Sequence, residues 1–117
     1  MIREEQIIQQ QCVRWFRIQH PDKVLFAVKN NSFGSGISNK RMGAIDKSMG
    51  VLAGVSDLVF VYNDMVYFIE MKTEKGTQSE PQKDFQENVE GEGMKYIIVR
   101  SFDKFVNLIT NIVNYKK

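Results

Sequence analysis

Asp57, Glu70 and Lys72 are the residues of this sequence best suited to do chemistry together. Whether they meet depends on the chain between them. Asp57 to Tyr62 (DLVFVY) and Met65 to Met71 (MVYFIEM) read as strands, because both runs are rich in β-branched and aromatic residues. Only Asn63-Asp64 separates them, a pair that tolerates the backbone angles of a tight hairpin. A two-residue turn pairs Tyr62 with Met65, Phe60 with Tyr67, Leu58 with Ile69, and therefore Asp57 with Glu70. Opposed residues have side-chain roots roughly 4.5–5.5 Å apart, where two carboxylates repel unless a positive charge lies between them. A divalent cation is the economical answer. Mg²⁺ takes oxygen ligands at about 2.1 Å and typically uses one or two protein carboxylates, leaving positions for water and a substrate phosphate. Lys72, two residues beyond Glu70, points to the same face about 6–7 Å further along. In a phosphodiester hydrolase the cation would polarise the scissile phosphate and lower the pKa of a water, while Lys72 orients that water or neutralises developing charge. A slip of one residue in register would send Asp57 to the opposite face from Glu70.

The remaining elements follow from periodicity and caps. From Glu4 to Gln19 the apolar positions Ile8, Cys12, Trp15 and Phe16 recur at helical spacing until His20-Pro21 stops the pattern. Val24 to Lys29 reads as a short strand and Asn30 to Asn39 as a polar loop, with a short helix over Lys40 to Met49 closed by Gly50. Ser79-Glu80-Pro81-Gln82 begins another helix, with Ser79 as cap and Gln82 completing a capping box; Gly91 or Gly93 ends it. Lys95 to Arg100 is a further strand. Phe102, Phe105, Val106, Ile109, Ile112 and Val113 mark a last amphipathic helix after the cap Ser101. This order predicts an α/β fold over 1–117: a single domain with a central mixed β-sheet flanked by helices. Both faces of the hairpin are apolar, Val59, Val61, Val66 and Phe68 on one and Leu58, Phe60, Tyr67 and Ile69 on the other, so the sheet is expected to be covered twice.

Composition narrows the class. The chain has 117 residues, 43% of them hydrophobic and 26% charged, enough for one core and unlike a disordered segment. Its single cysteine, Cys12, sits in an apolar-periodic stretch and reads as a packed, reduced thiol, which favours an intracellular protein. No apolar run approaches the roughly 20 residues of a membrane span, and the first ten residues lack a secretory signal's apolar block, so a soluble protein without a membrane partner is expected. The formal net charge of +2 is too small to argue for or against a nucleic-acid partner.

Gly54-Val55-Ser56-Asp57-Leu58, then Phe68-Ile69-Glu70-Met71-Lys72-Thr73, then Lys75-Gly76, Ser79 and Gln82, resemble the virus-type replication-repair nuclease (VRR-NUC) family of the PD-(D/E)xK nuclease superfamily. That family usually shows Gly-Val-Pro-Asp-Leu, then Glu-Leu-Lys, then Lys-Gly, Ser and Gln at short offsets. Glu5-Gln6-Ile7-Ile8-Gln9 is similar to its first-helix pattern, so the resemblance covers nearly the whole chain. It implies a restriction-endonuclease-like core in which Asp57 and Glu70 bind Mg²⁺ or Mn²⁺, Glu5 joins them as a metal and supporting residue, Lys72 is the catalytic lysine and Gln82 is a further active-site residue. Glu5 has a second reading, as an acid complementing the helix dipole beside Glu4. Gln82 likewise has one as a capping residue. The sequence departs from the pattern at Ser56, where proline is common and would fix one backbone angle, and at Met71, where leucine is usual. Stand-alone members of the family are of this size, occur in phages and are associated with homodimers acting on branched DNA such as four-way junctions. The resemblance therefore implies a DNA endonuclease, a homodimer and, for a phage protein, the cytoplasm of a bacterial host.

Other side chains are candidates for phosphate contacts: Lys29, Asn30, Asn31, Lys40 and Arg41 on the loop, with Arg14 and Arg17 on the first helix. Phe33 could stack on a base or anchor the loop. His20, alone beside Pro21, reads as a helix-end residue and not a metal ligand. Three rival readings remain: a nucleic-acid-binding or assembly module without turnover, metal-free hydrolysis by paired carboxylates, and a nicking or flap nuclease without junction selectivity.

Overall fold

A computed structural model describes residues 3–28 and 44–115 of the chain. The first helix, α1 (Glu4–Gln19), starts where Gln6 Oε1 accepts from the Arg3 amide at 2.9 Å and stops at His20, whose amide donates to the Phe16 carbonyl at 2.7 Å. Four strands follow the expected spans, β1 (Val24–Ala27), β2 (Leu58–Tyr62), β3 (Met65–Met71) and β4 (Lys95–Val99). Helix α2 (Glu80–Gly91) links β3 to β4, and α3 (Phe102–Asn114) closes the described chain. A helical turn over 44–48 precedes Gly50. The expected start of that helix, with Lys40 and Arg41, lies outside the described residues, as do Lys29, Asn30, Asn31 and Phe33. No helix among the described residues is long and apolar enough to cross a membrane.

The strands form one mixed sheet in the order β1-β2-β3-β4, antiparallel at β1-β2 and β2-β3 and parallel at β3-β4. The parallel pair requires the crossover that α2 provides. Asn63 and Asp64 have φ of 52° and 65°, the positive pair that a type I′ turn demands. Tyr62 pairs with Met65 and Leu58 with Ile69, the register that the two-residue turn predicts.

That register separates the faces. Leu58, Phe60, Ile69, Met71 and Val99 point to one side, where α1 and α3 cover them with Cys12, Phe16, Phe105 and Ile109. Aromatic pairs knit this core: between ring centroids Phe60 meets Phe16 edge-on at 5.5 Å and stacks with Tyr62 at 5.7 Å, and Trp15 meets Phe105 edge-on at 6.1 Å. Burial pushes the Cys12 thiol up to about 12, so it stays an uncharged packing group, while His20 packs on Trp15 and Phe16.

The second face differs from the expectation of full cover. Helix α2 lies over β3 and β4, where Phe85 meets Phe68 at 5.1 Å and Tyr96 at 6.2 Å. Toward the β1 edge, Val24, Phe26 and Val61 are exposed. One twelve-residue helix does not span the width of four strands, so cover from α2 is confined to the half of the sheet that the crossover straddles.

Phe60 has no exposed surface and sits at the meeting point of α1 and the sheet. Truncation of Phe60 to alanine is expected to lower the unfolding free energy by about 3–5 kcal/mol in urea titration, against less than about 1 kcal/mol for Ile18→Ala on the exposed side of α1.

Candidate active site

The site is built at the open end of the hairpin, on the face that α2 shares. Asp57 immediately precedes β2, and two bonds fix it: its carbonyl accepts from the Val28 amide at 2.9 Å, and its Oδ2 accepts from the Met71 amide at 2.7 Å. The carboxylate thus caps the end of the β2-β3 ladder next to Glu70. Ser56, almost fully buried, donates its hydroxyl to the Leu58 carbonyl at 3.1 Å. That local bond does by hydrogen bonding what a proline would do by ring geometry.

Glu70 is 3% exposed. Its Oε2 accepts from Gln82 Nε2 at 3.2 Å, and its Oε1 is buried without a partner among the described residues. A buried carboxylate oxygen left unpaired is costly, and structures retain one where a proton, a cation or a substrate is to meet it. Burial first and the neighbouring Asp57 charge second, with Glu5 adding and Lys72 opposing, together carry the Glu70 carboxyl from 4.5 up to about 9.

Lys72 leaves the end of β3 with its amide donating to the Val99 carbonyl at 3.0 Å, and makes no ion pair among the described residues. Gln82 bonds in two directions. Its Oε1 accepts from the Ser79 amide at 2.8 Å while its Nε2 reaches Glu70, because the two ends of one amide serve different partners. Glu5 is half-buried where Glu4 is exposed. Among the described residues no group of three acidic, histidine or cysteine side chains converges tightly enough to hold a metal ion, and Glu5 is the weakest of the charges that act on Glu70. Arg14 and Arg17 are exposed on α1, roughly 2.5 and 3.3 turns beyond Glu5, outside this cluster.

Tyr96 belongs to the site's floor and has no place in a reading of KYIIVR as a plain strand. It pairs with Phe68 across the parallel ladder, on the Glu70 face, and Gln78 Nε2 donates to its hydroxyl at 3.3 Å and to Gln86 Oε1 at 2.9 Å. Burial raises the Tyr96 hydroxyl above its ordinary value, Gln78 lowers it, and Glu70 and Asp57 add to the rise. Only the β3-β4 register reveals this placement.

Two carboxylates, one with an oxygen awaiting a partner, suit a hard divalent cation with positions left for water and phosphate oxygens. The fold and the site together define a class: a compact mixed sheet carrying an Asp, a Glu-x-Lys and a helix-borne Gln at one end. A solved structure described as a VRR_NUC domain protein has the same fold, with a TM-score of 0.73 over 95% of this chain and 88% of its own, at 20% sequence identity. The chain thus has the VRR-NUC fold. No family model and no curated protein matches it.

Two outcomes test this geometry. Gly54 has φ +86°, and a Cβ there would overlap the Pro81 carbonyl and lie 2.8 Å from the Gln82 amide, so only glycine lets the chain before Asp57 pass the start of α2. Gly54→Ala is expected to cost more than about 2 kcal/mol in chemical denaturation; a loss within the ~0.5 kcal/mol of surface changes would contradict the close approach. The second outcome concerns pH. Between 4.5 and about 9 the folded protein keeps a Glu70 proton that the unfolded chain gives up, so this group's contribution to stability falls as pH rises through that window. In chelator, the Tm difference between the parent protein and Glu70→Gln should shift against the parent as pH rises, and parallel curves would show that Glu70 is not so placed.

Proposed function

We propose that the chain is a VRR-NUC nuclease that hydrolyses DNA phosphodiester bonds with Mg²⁺ or Mn²⁺ held by Asp57 and Glu70. The observation that carries this reading is the buried, unpartnered Glu70 Oε1 beside the Asp57 carboxylate, two oxygen donors whose mutual repulsion a cation relieves. When bound, the cation supplies a Lewis acid that polarises a phosphoryl oxygen and acidifies a water.

The chain's own residues divide the remaining work. The Met71 amide and Gln82 Nε2 each hold one oxygen of a carboxylate, which leaves Asp57 Oδ1 and Glu70 Oε1 for the ion. Gln82 is anchored by its own helix cap, so Glu70 keeps one orientation. Lys72 presents an ammonium close enough to Glu70 to favour its charged form, where it orients the attacking water or neutralises charge building on the phosphate. Glu5 adds negative potential that strengthens cation binding from outside the ligand pair.

Branched DNA as preferred substrate and a homodimer as working form rest on the resemblance to stand-alone members of the family. A second copy would give a two-stranded substrate two sites. The exposed Val24, Phe26 and Val61 offer apolar surface to an interface. A binding module without turnover explains the site less well, because acids that repel phosphate would serve it no purpose.

The test incubates the protein with supercoiled plasmid and a four-way junction in Mg²⁺, Mn²⁺ or chelator, alongside Asp57→Ala and Lys72→Ala. Cleavage should require the metal, and each variant should lose roughly 100-fold or more in rate while still binding DNA. Equal cleavage by the variants, or cleavage in chelator, would reject the site. Salt-sensitive binding with no cleavage by the parent protein would instead establish the binding module.

A further inference from the structure

Arg100 follows β4, at the position beside the end of β3 where Lys72 leaves the sheet. Its Nη1 donates to three main-chain carbonyls of one loop, those of Thr73 at 2.7 Å, Glu74 at 3.2 Å and Gly76 at 2.7 Å. The loop turns on itself there, with the Gly76 amide donating to the Thr73 carbonyl at 3.1 Å. A fixed positive charge facing three converging carbonyl dipoles makes charge-assisted bonds, stronger than those between neutral groups. The loop's far end is tied separately, by Gln78 to Gln86 and Tyr96.

The clamped turn lies against the lysine. A Cβ built on Gly76 would come within 3.4 Å of Lys72 Cδ, so the turn passes close to the aliphatic stem of that side chain at Gly76. A long, flexible stem places its ammonium well only if something solid lies beside it.

We propose that Arg100 is a positioning residue: by gathering the Thr73, Glu74 and Gly76 carbonyls it fixes the turn that holds the Lys72 ammonium beside Glu70. The inference rests on the nuclease reading for what Lys72 does, and on the hydrogen bonds alone for the clamp. Lysine at position 100 would keep the charge but not the reach and planarity of guanidinium, so it restores the clamp only in part.

The experiment combines Arg100→Ala and Arg100→Lys with and without Lys72→Ala, measuring kcat and KM for plasmid cleavage in Mg²⁺ and trypsin cleavage after the exposed Lys75. Arg100→Ala should open the Lys75–Gly76 bond to trypsin and lower kcat about tenfold or more with KM changed less than ~twofold, and Arg100→Lys should fall between. In the Lys72→Ala background the Arg100 substitutions should lower kcat no further, because they act through the missing ammonium. Unchanged protection at Lys75 in the folded Arg100→Lys and Arg100→Ala proteins overturns the clamp. Equal loss of kcat with and without Lys72 overturns the positioning role. A parent protein that cleaves no DNA would defeat the nuclease reading instead, and the trypsin pattern would then decide the clamp by itself.

Discussion

Repulsion between two carboxylates at the end of a hairpin governs the organisation of this protein. The Met71 amide ties the Asp57 carboxylate to the residue next to Glu70, and Glu70 is nearly sealed from water. Such a pair is stable only with a proton or a cation between its members. Several features near it enforce the proximity or compensate the charge. The type I′ turn sets the register, the Met71 amide and Gln82 each occupy one oxygen, and Lys72 supplies the opposing charge that Glu70 feels among the described residues.

The two faces of the sheet share this labour unequally. One face carries the core: α1 and α3 bury Leu58, Phe60, Ile69 and Met71 and so hold β2 and β3 rigid from behind. The other face is polar at the end where Glu70 lies and apolar beneath α2, where Phe68, Phe85 and Tyr96 meet. Neighbours along β3 alternate between these duties. Ile69 and Met71 anchor the strand in the core while Glu70, between them, faces the site. Stability and chemistry therefore rest on adjacent residues of one strand, and a core that shifts β3 would move the carboxylate with it.

Much of this was legible in the sequence because it depends on local rules. Asn63-Asp64 leaves little choice of turn, and the pairing then runs from Tyr62–Met65 back to Leu58–Ile69, the residues next to Asp57 and Glu70. Ser79 and Ser101 declare their helices through caps that the structure contains, at 3.3 Å and 3.2 Å from the amides they accept from. What escaped was non-local. The register of the parallel β3-β4 pair is set by a crossover and not by a turn, so neither Tyr96 beside Phe68 nor Arg100 beside Lys72 could be placed from spacing. Gln82 posed a choice between capping and the site that the two ends of its amide dissolve. The expectation of a doubly covered sheet fails at Val24, Phe26 and Val61, because apolar patterning shows that a face is apolar but not which helix is long enough to cover it.

The most direct test of the central claim is a Mn²⁺ titration of the DNA-free protein, followed by the loss of the free ion's electron paramagnetic resonance signal, with Glu70→Gln and Asp57→Ala alongside. If the two carboxylates form a cation site, the parent protein binds saturably and each variant weakens that binding by about tenfold or more. Binding of equal strength in all three proteins would contradict the account.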